Sequence, residues 1–317
     1  MSLVGILIIG KIPPPVGGVT IHVQRLLHLL KINNVNYSFV DLRNFRIQEL
    51  FNKILKAKVV HIHVSNVFFQ FFLIFIAFCL GKKSIITFHG DLNRFSGLKK
   101  IFSFVNIKFT TIPIMLNVSS YEKAKQINKR AVLMSVFIPP INEDKLNRDI
   151  LSKLTTLSKK YKNIFATNGS ALNYDKDGVE IYGIIDLVNY FNSPLVESSS
   201  CLVISDPSGD YGNYFSSNNI NIRDNILLIS EPHSYFEVLK ISDANIRNTS
   251  TDGDSISIRE SLYLNKPTFA TNAVSRPEGS ILYKRGEYRF VELIQSVELT
   301  AKSKDSQIFE KLSIIYS

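Results

Sequence analysis

Two carboxylates eight positions apart, Asp252 and Glu260, bracket a turn that can start a helix. Gly253, Asp254 and Ser255 make the turn. Asp254 or Ser255 can cap it, and Ile256, Leu262 and Leu264 supply apolar anchors before Lys266-Pro267 stops it. This pattern predicts Asp252 in the loop at the helix mouth and Glu260 on the helix itself. The N–H groups of residues 254–256 then point into the mouth, where the partial positive charge of a helix start favours an anion or a sugar hydroxyl. Read locally, the stretch is also an ordinary capped helix with solvated acids, the commoner case.

Other chemistry-bearing residues sit where strands give way to loops. Gly17 and Gly18 follow a strand-like run and a proline-rich loop, and they let backbone approach a ligand at a helix start, as a phosphate-cradling loop requires. His22 comes just after them. His61 and His63 share one strand face by alternation. They suggest a metal pair, but no third ligand is apparent, so a polar strand end is the better reading and no metal is expected. His89 ends the run SIITFHGDL, and a residue at the carboxyl end of a parallel strand faces the ligand crevice.

Residues 252–271 resemble the signature of glycosyltransferase family 4, retaining sugar-nucleotide transferases of GT-B fold. That signature reads Glu, seven residues, Glu, a small helix, Gly-Lys-Pro and a Val-x-Ala-Thr strand; here it stands as Asp252, seven residues, Glu260, then Asn265-Lys266-Pro267 and Thr268-Phe269-Ala270-Thr271. The prolines, Gly-Gly-Val and His22 are similar to the family's first loop, and His61-x-His63 and His89 match its histidine positions. Where the family carries Gly-Arg and then Glu-Lys-Gly, this chain has Gly169-Ser170-Ala171-Leu172 and Asp175-Lys176-Asp177-Gly178. The arginine is missing, and Arg247 and Arg276 are the candidates to replace it, with a surface ion pair as their other reading.

The resemblance implies specific roles. Asp252 and His89 would orient the donor sugar and Glu260 would hold the nucleotide ribose. The diphosphate and sugar would meet Gly17, Gly18, Ser170, Lys176, Arg247, Asp254, Ser255 and Ile256. Neither a metal nor another cofactor is expected, the nucleotide-sugar being the substrate.

These residues need a scaffold that brings strand ends together. Strand-like runs alternate with helical patterns throughout, which predicts α/β architecture with parallel sheets. The resemblance makes this GT-B: two Rossmann-like domains facing a central cleft. The expected domains are 1–140 on the acceptor side, 141–290 for the nucleotide-sugar, and helices at 291–317 packing back toward the first. The Pro-Pro break at 138–149 reads as the linker. Strands are expected near 108–118 and 131–137, with Ser119 or Ser120 capping the helix between them. Further helices are expected at 178–191, 287–302 and 305–316.

Composition limits the function classes. With 45% hydrophobic and 20% charged residues, the chain is globular. Its two cysteines, Cys79 and Cys201, read as small buried residues without disulfide or metal spacing. The N-terminal run reads as a first strand and not an export signal. The apolar run at 67–80 is too short to span a bilayer and predicts a buried helix. Residues 1–140 hold 18 Lys and Arg against 4 Asp and Glu, a balance of +14, while the remainder holds 19 against 23. Lys99, Lys100 and Lys108 interleave with Ile101, Phe102, Phe104 and Val105, the pattern of an interfacial segment on anionic lipid, or of a solvated basic face. No nucleic-acid recognition motif accompanies the charge.

The expectation is therefore a transfer of sugar, with retention, from a nucleotide diphosphate, a UDP-sugar by preference, to a lipid-linked or oligosaccharide acceptor in capsule, O-antigen or exopolysaccharide synthesis. The place expected is the cytoplasmic face of the plasma membrane. The alternatives are a catalytically silent GT-B partner subunit and a sugar-nucleotide epimerase. An NAD-type oxidoreductase is disfavoured, because no GxGxxG follows the first strand.

Overall fold

The computed structural model describes residues 4–135, 137–140, 145–175, 177–194, 196, 199–296 and 308–317. The chain divides near Ile138 into two compact units, and the helix at the C-terminal end belongs to the first.

Unit 1 runs β1 (Val4–Gly10), α1 (Gly18–Ile32), β2 (Tyr37–Asp41), α2 (Ile47–Lys56), β3 (Ala57–Ile62), α3 (Val67–Cys79), β4 (Lys83–Phe88), α4 (Gly97–Phe109), β5 (Ile112–Met115), α5 (Val118–Ile127) and β6 (Val132–Leu133). Its six strands are all parallel, in the order β2-β1-β3-β4-β5-β6. Parallel strands covered on both faces read as continuous apolar runs, and Ile6 to Ile9 and Val59 to Ile62 are buried throughout. Asparagine side chains start several helices: Asn66 accepts from the Phe68 and Phe69 N–H groups at 3.0 Å, and Asn117 accepts from that of Ser120 at 2.8 Å. The cap of α5 is therefore Asn117 and neither serine. Ser120 is buried, and its hydroxyl accepts from the Leu92 N–H.

Three expectations for unit 1 change. The strand expected to begin near residue 108 begins at Ile112, because the lysine-interleaved segment is helix α4 and runs to Phe109. The apolar helix α3 is not buried all round. It packs Val67, Gln70, Leu73, Ile74 and Ala77 inward and leaves Phe68, Phe72, Phe75 and Phe78 exposed at helical spacing. Cys79, at its end, is exposed; Cys201 is buried as read.

Unit 2 runs α6 (Arg148–Lys160), β7 (Asn163–Asn168), α7 (Ile184–Phe191), β8 (Ser200–Ser205), α8 (Asp210–Ser217), β9 (Ile226–Ile229), α9 (Tyr235–Ile241), β10 (Ala244–Arg247), α10 (Ile256–Tyr263), β11 (Thr268–Thr271), β12 (Ile281–Tyr283) and α11 (Phe290–Leu293). These strands are also parallel, in the order β12-β11-β10-β7-β8-β9. Helix α7 starts later than position 178 because Gly183 turns left-handed (φ +64°) where a Cβ would lie 2.3 Å from Asn248. Helix α8 and strand β12 lie in stretches for which the sequence suggested no helix or strand. The expected helix at 287–302 is represented by α11, and residues 297–307 lie outside the described ones. The final helix, α12 (Ile308–Tyr316), buries Ile308, Leu312 and Ile315 in unit 1.

Candidate functional site

In unit 2, Arg247 ends β10 and Thr271 ends the adjacent β11, so side chains from the loops beyond both strands converge. The Oδ2 of Asp252 accepts from Arg247 Nε at 2.8 Å and from Arg276 Nη1 at 3.1 Å. This is no surface ion pair: the side chains are 13% exposed for Asp252, 9% for Arg247 and 2% for Arg276. Burial pushes the Asp252 carboxyl up, but the charge and hydrogen bonds of Arg247, then of Arg276, outweigh it and leave the group below the ordinary carboxylate range. Burial lowers Arg276 below its usual value, with Asp252 offsetting only part of that, so two guanidinium groups share one carboxylate.

The two arginines are held differently. Arg276 is tied down by the Thr271 carbonyl and by the hydroxyls of Thr249 and Thr271, at 2.7 to 2.9 Å. Arg247 donates through Nη1 to the carbonyl and Oδ1 of Asn168, the last residue of β7, and its guanidinium lies 5.1 Å over the Tyr182 ring. Among the described residues its hydrogen bonds run through Nε and Nη1, and the side chain is 9% exposed. Tyr182 in turn bonds Ser170 at 2.6 Å between hydroxyl oxygens. Ser170, Tyr182, Asn168, Asp252 and Arg247 thus form one connected group. Asn168 and Tyr182 were not singled out from sequence; their strand-end and Tyr-Gly positions were the only signals.

Helix α10 begins where the spacing placed it. Ser255 is its N-cap residue by backbone conformation, but no side-chain cap bond forms, and its hydroxyl meets that of Ser257 at 3.0 Å. Asp254 does not cap either: its side chain is 3% exposed and pairs with Arg259 at 2.8 Å. Among the described residues Ser255 makes no side-chain cap bond to the first-turn N–H groups of α10, the arrangement that favours an anion. Ile256 opens the helix. Glu260, near its middle, is 3% exposed. The buried Tyr235 hydroxyl is pushed well above its usual value by burial and then by the Glu260 charge, and it donates to Asn245 Oδ1 at 2.8 Å. Lys176 lies outside the described residues; its neighbour Asp175 accepts from the N–H groups of Asp177 and Val179 and from the Ser250 hydroxyl.

In unit 1, Gly17 is the N-cap residue of α1, and the Thr20 side chain bonds back to its N–H and carbonyl at 3.1 and 3.0 Å. A Cβ on Gly18 would meet nothing within 4 Å, which leaves the room a ligand needs. Four histidines gather at the carboxyl ends of β1, β3 and β4. His61 is sandwiched between the Tyr316 hydroxyl, 2.8 Å from Nδ1, and the Thr87 hydroxyl, 2.9 Å from Nε2. His63 Nδ1 lies 3.1 Å from His89 Nε2, and His22 faces both. Burial, followed by the nearby His22, pushes His61 down to about 3; burial followed by three neighbouring histidines holds His63 well below its ordinary value. The pair suggested by the sequence, His61 and His63, is not the set that gathers: His22, His63 and His89 place one nitrogen each within 4.8 Å of one another, a set able to hold a metal ion.

No protein-family model and no curated protein matches this sequence. Solved structures do. HepE from Anabaena, in complex with UDP-glucose, superposes with a TM-score of 0.68 at 12% identity, over 98% of this chain and 97% of that one. The trehalose-6-phosphate synthase OtsA gives 0.62 at 10% identity, over 98% and 94% of the two chains. A sucrose-phosphate synthase from Thermosynechococcus elongatus gives 0.60 at 12% identity, over 98% and 95%. Among the described residues no helix is long and apolar enough to cross a membrane. At such identities the likeness is one of architecture, and it agrees with the two parallel six-stranded sheets: the chain has the α/β, GT-B fold.

Proposed function

We propose that this chain is a retaining glycosyltransferase of the family 4 kind. It would take a sugar, a hexose, from a nucleotide diphosphate, UDP by preference, to a lipid-linked or oligosaccharide acceptor in surface polysaccharide synthesis. The observation that carries the reading is Arg247: a guanidinium fixed by Asp252 and Asn168 and stacked on Tyr182, whose Nη2 would donate to an anion. It supplies the positive charge that the family's absent arginine would have given. Together with the uncapped N-terminus of α10 it would stabilise the departing diphosphate without a metal at that position. Glu260 would hold the ribose. Ser170 would add a donor contact within unit 2; in unit 1, Gly17 and Gly18 would be donor-contacting glycines and His89 the sugar-facing histidine. HepE, solved with UDP-glucose, supports the choice of donor.

The test is a thermal-shift screen against UDP, GDP, UDP-sugars, GDP-sugars and NAD in chelator. The expected result is stabilisation by one nucleotide diphosphate class, reduced about tenfold in apparent affinity by Arg247→Lys, which keeps the charge but loses the second donor, and abolished by Glu260→Ala. Silence across all nucleotides would reject the reading. A second reading rests on Asp252, whose Oδ2 is occupied by both arginines and so is not offered to a sugar. It is a silent partner subunit, distinguished by donor binding without transfer or hydrolysis.

The acceptor side of the proposal rests on α3 and α4. Phe68, Phe72, Phe75 and Phe78 lie exposed on one helix and Leu98, Ile101 and Phe109 on the other, beside the exposed Lys99, Lys100 and Lys108. Phe102 bridges the helices, 4.9 Å from Phe68 and 5.3 Å from Phe71 between ring centres. An apolar face fringed by lysines suits an anionic lipid surface at the inner face of the plasma membrane. Binding to anionic vesicles should fall steeply as salt rises and should be lost in Phe75→Ser/Phe78→Ser; binding to neutral vesicles alone would refute it.

A further inference from the structure

The three histidines His22, His63 and His89 are arranged as a triangle with nearly equal sides. Their ring centroids are 5.1, 5.2 and 5.3 Å apart, and one nitrogen of each lies within 4.8 Å of the other two. Aromatic packing alone tolerates centroid distances of about 4.5–7 Å. Ligation is more demanding. With metal–nitrogen bonds of about 2.05 Å, ring centres roughly 1.15 Å behind the nitrogens and near-tetrahedral angles, three imidazoles on one ion have centroids about 5.2 Å apart. The observed triangle meets that figure on every side.

The nitrogens agree with the rings. His63 Nδ1 and His89 Nε2 are 3.1 Å apart, against roughly 3.3 Å for two nitrogens on a tetrahedral ion. A His22 nitrogen lies within 4.8 Å of a nitrogen of each. His63 is 2% exposed, and its Nε2 has no hydrogen-bond partner among the described residues, so its tautomer is not fixed from that side. His61, by contrast, has both nitrogens engaged by hydroxyls, which leaves three candidate ligands and not four.

The scaffold holds the triangle. The His63 N–H donates to the Ile9 carbonyl at 2.8 Å, which keeps the residue in the sheet just beyond β3. Gly10 lets α1 close on it, since a Cβ there would lie 3.1 Å from Val23 Cγ2 and 3.2 Å from His63 Cβ. Val23 is the residue after His22. All three histidines belong to unit 1, so the arrangement stands without reference to unit 2 or to the transferase reading.

We propose that His22, His63 and His89 bind one divalent transition-metal ion, Zn2+ by the character of the ligands, with a coordination position open to water or to a hydroxyl-bearing ligand. This departs from the metal-free expectation drawn from sequence.

The experiment uses the full chain without a histidine tag, stripped with chelator and titrated with Co2+ and Zn2+. One equivalent should bind, Co2+ with the visible absorption of a four-coordinate site. His22→Ala and His89→Ala should each weaken binding by at least about 100-fold, while His233→Ala in unit 2 leaves it unchanged. His89 is at the half-buried rim, so its variant keeps the fold, checked by an unaltered metal-free unfolding curve. Failure to bind near one equivalent overturns the proposal. Binding of equal strength in wild type and His89→Ala overturns it too.

Discussion

Units 1 and 2 each bury a polar cluster at the carboxyl ends of their central strands, beside the point where strand order reverses, between β1 and β3 in one and between β10 and β7 in the other. They meet the cost of burial in opposite ways. In unit 1 desolvation strips the charge from imidazoles and leaves neutral groups bonded to hydroxyls and to one another. In unit 2 the charges stay and are matched, two guanidinium groups to one carboxylate. The lesson is that one architecture can prepare a neutral ligand set and a charged anion clamp, the difference lying in which side chains end its strands.

The sharpest way to break this contrast is Asp252→Ala. It leaves two buried guanidinium groups facing each other, and removing one partner of a buried charge pair typically costs about 3–5 kcal/mol. Urea unfolding should show that loss in unit 2, with Asp252→Asn falling between it and wild type. A loss below about 1 kcal/mol would mean that the cluster is not a structural unit.

Acid should separate the two regions next. His61 has a folded pKa depressed from 6.5 to about 3, so its unfolded form takes up protons first, and stability is lost as pH falls below 6.5. By about pH 5 the cost is roughly 2 kcal/mol, from 1.36 kcal/mol per pH unit. Asp252 is also depressed, from 3.8, and its contribution is lost only as pH falls below that value toward its folded pKa. Unit 1 should therefore soften first in acid, and His61→Gln should flatten that slope. A pH-independent unfolding midpoint between 7 and about 5 would contradict the neutral-imidazole picture.

The smallest effect is the most local. Gly10→Ala should cost about 1 kcal/mol by overpacking Val23 and His63, and should spread the histidine triangle. Histidine ring resonances in NMR spectra would report the spread; unchanged shifts would show that Gly10 does not set the approach.

Much of the scaffold was legible in sequence, for a physical reason. A strand buried on both faces has to be apolar along its length, and runs such as ILII and KVVHIHV show this without reference to anything distant. Helix α10 was legible because its turn residues and its Lys-Pro stop are local. The clusters were only partly so. His61 and His63 could be paired by alternation, but His22 and His89 join them through the parallel sheet, which no local pattern records. Likewise Arg276 reaches Asp252 across 24 positions, and nothing near either residue shows that both would be buried. The start of α4 was missed because Ser96 and Gly97 carry no cap signal strong enough to mark it, and Ser96 makes no side-chain cap bond.

The contact of Tyr316 with His61 joins residues 255 positions apart and ties α12 to the third strand of unit 1. During synthesis at about 5–20 residues per second, that strand waits roughly 13–50 s for its partner. Unit 2, encoded in between, can finish first. Unit 1 thus stays incomplete until α12 has been made, and until then its row of imidazoles stands without the hydroxyl that closes one end.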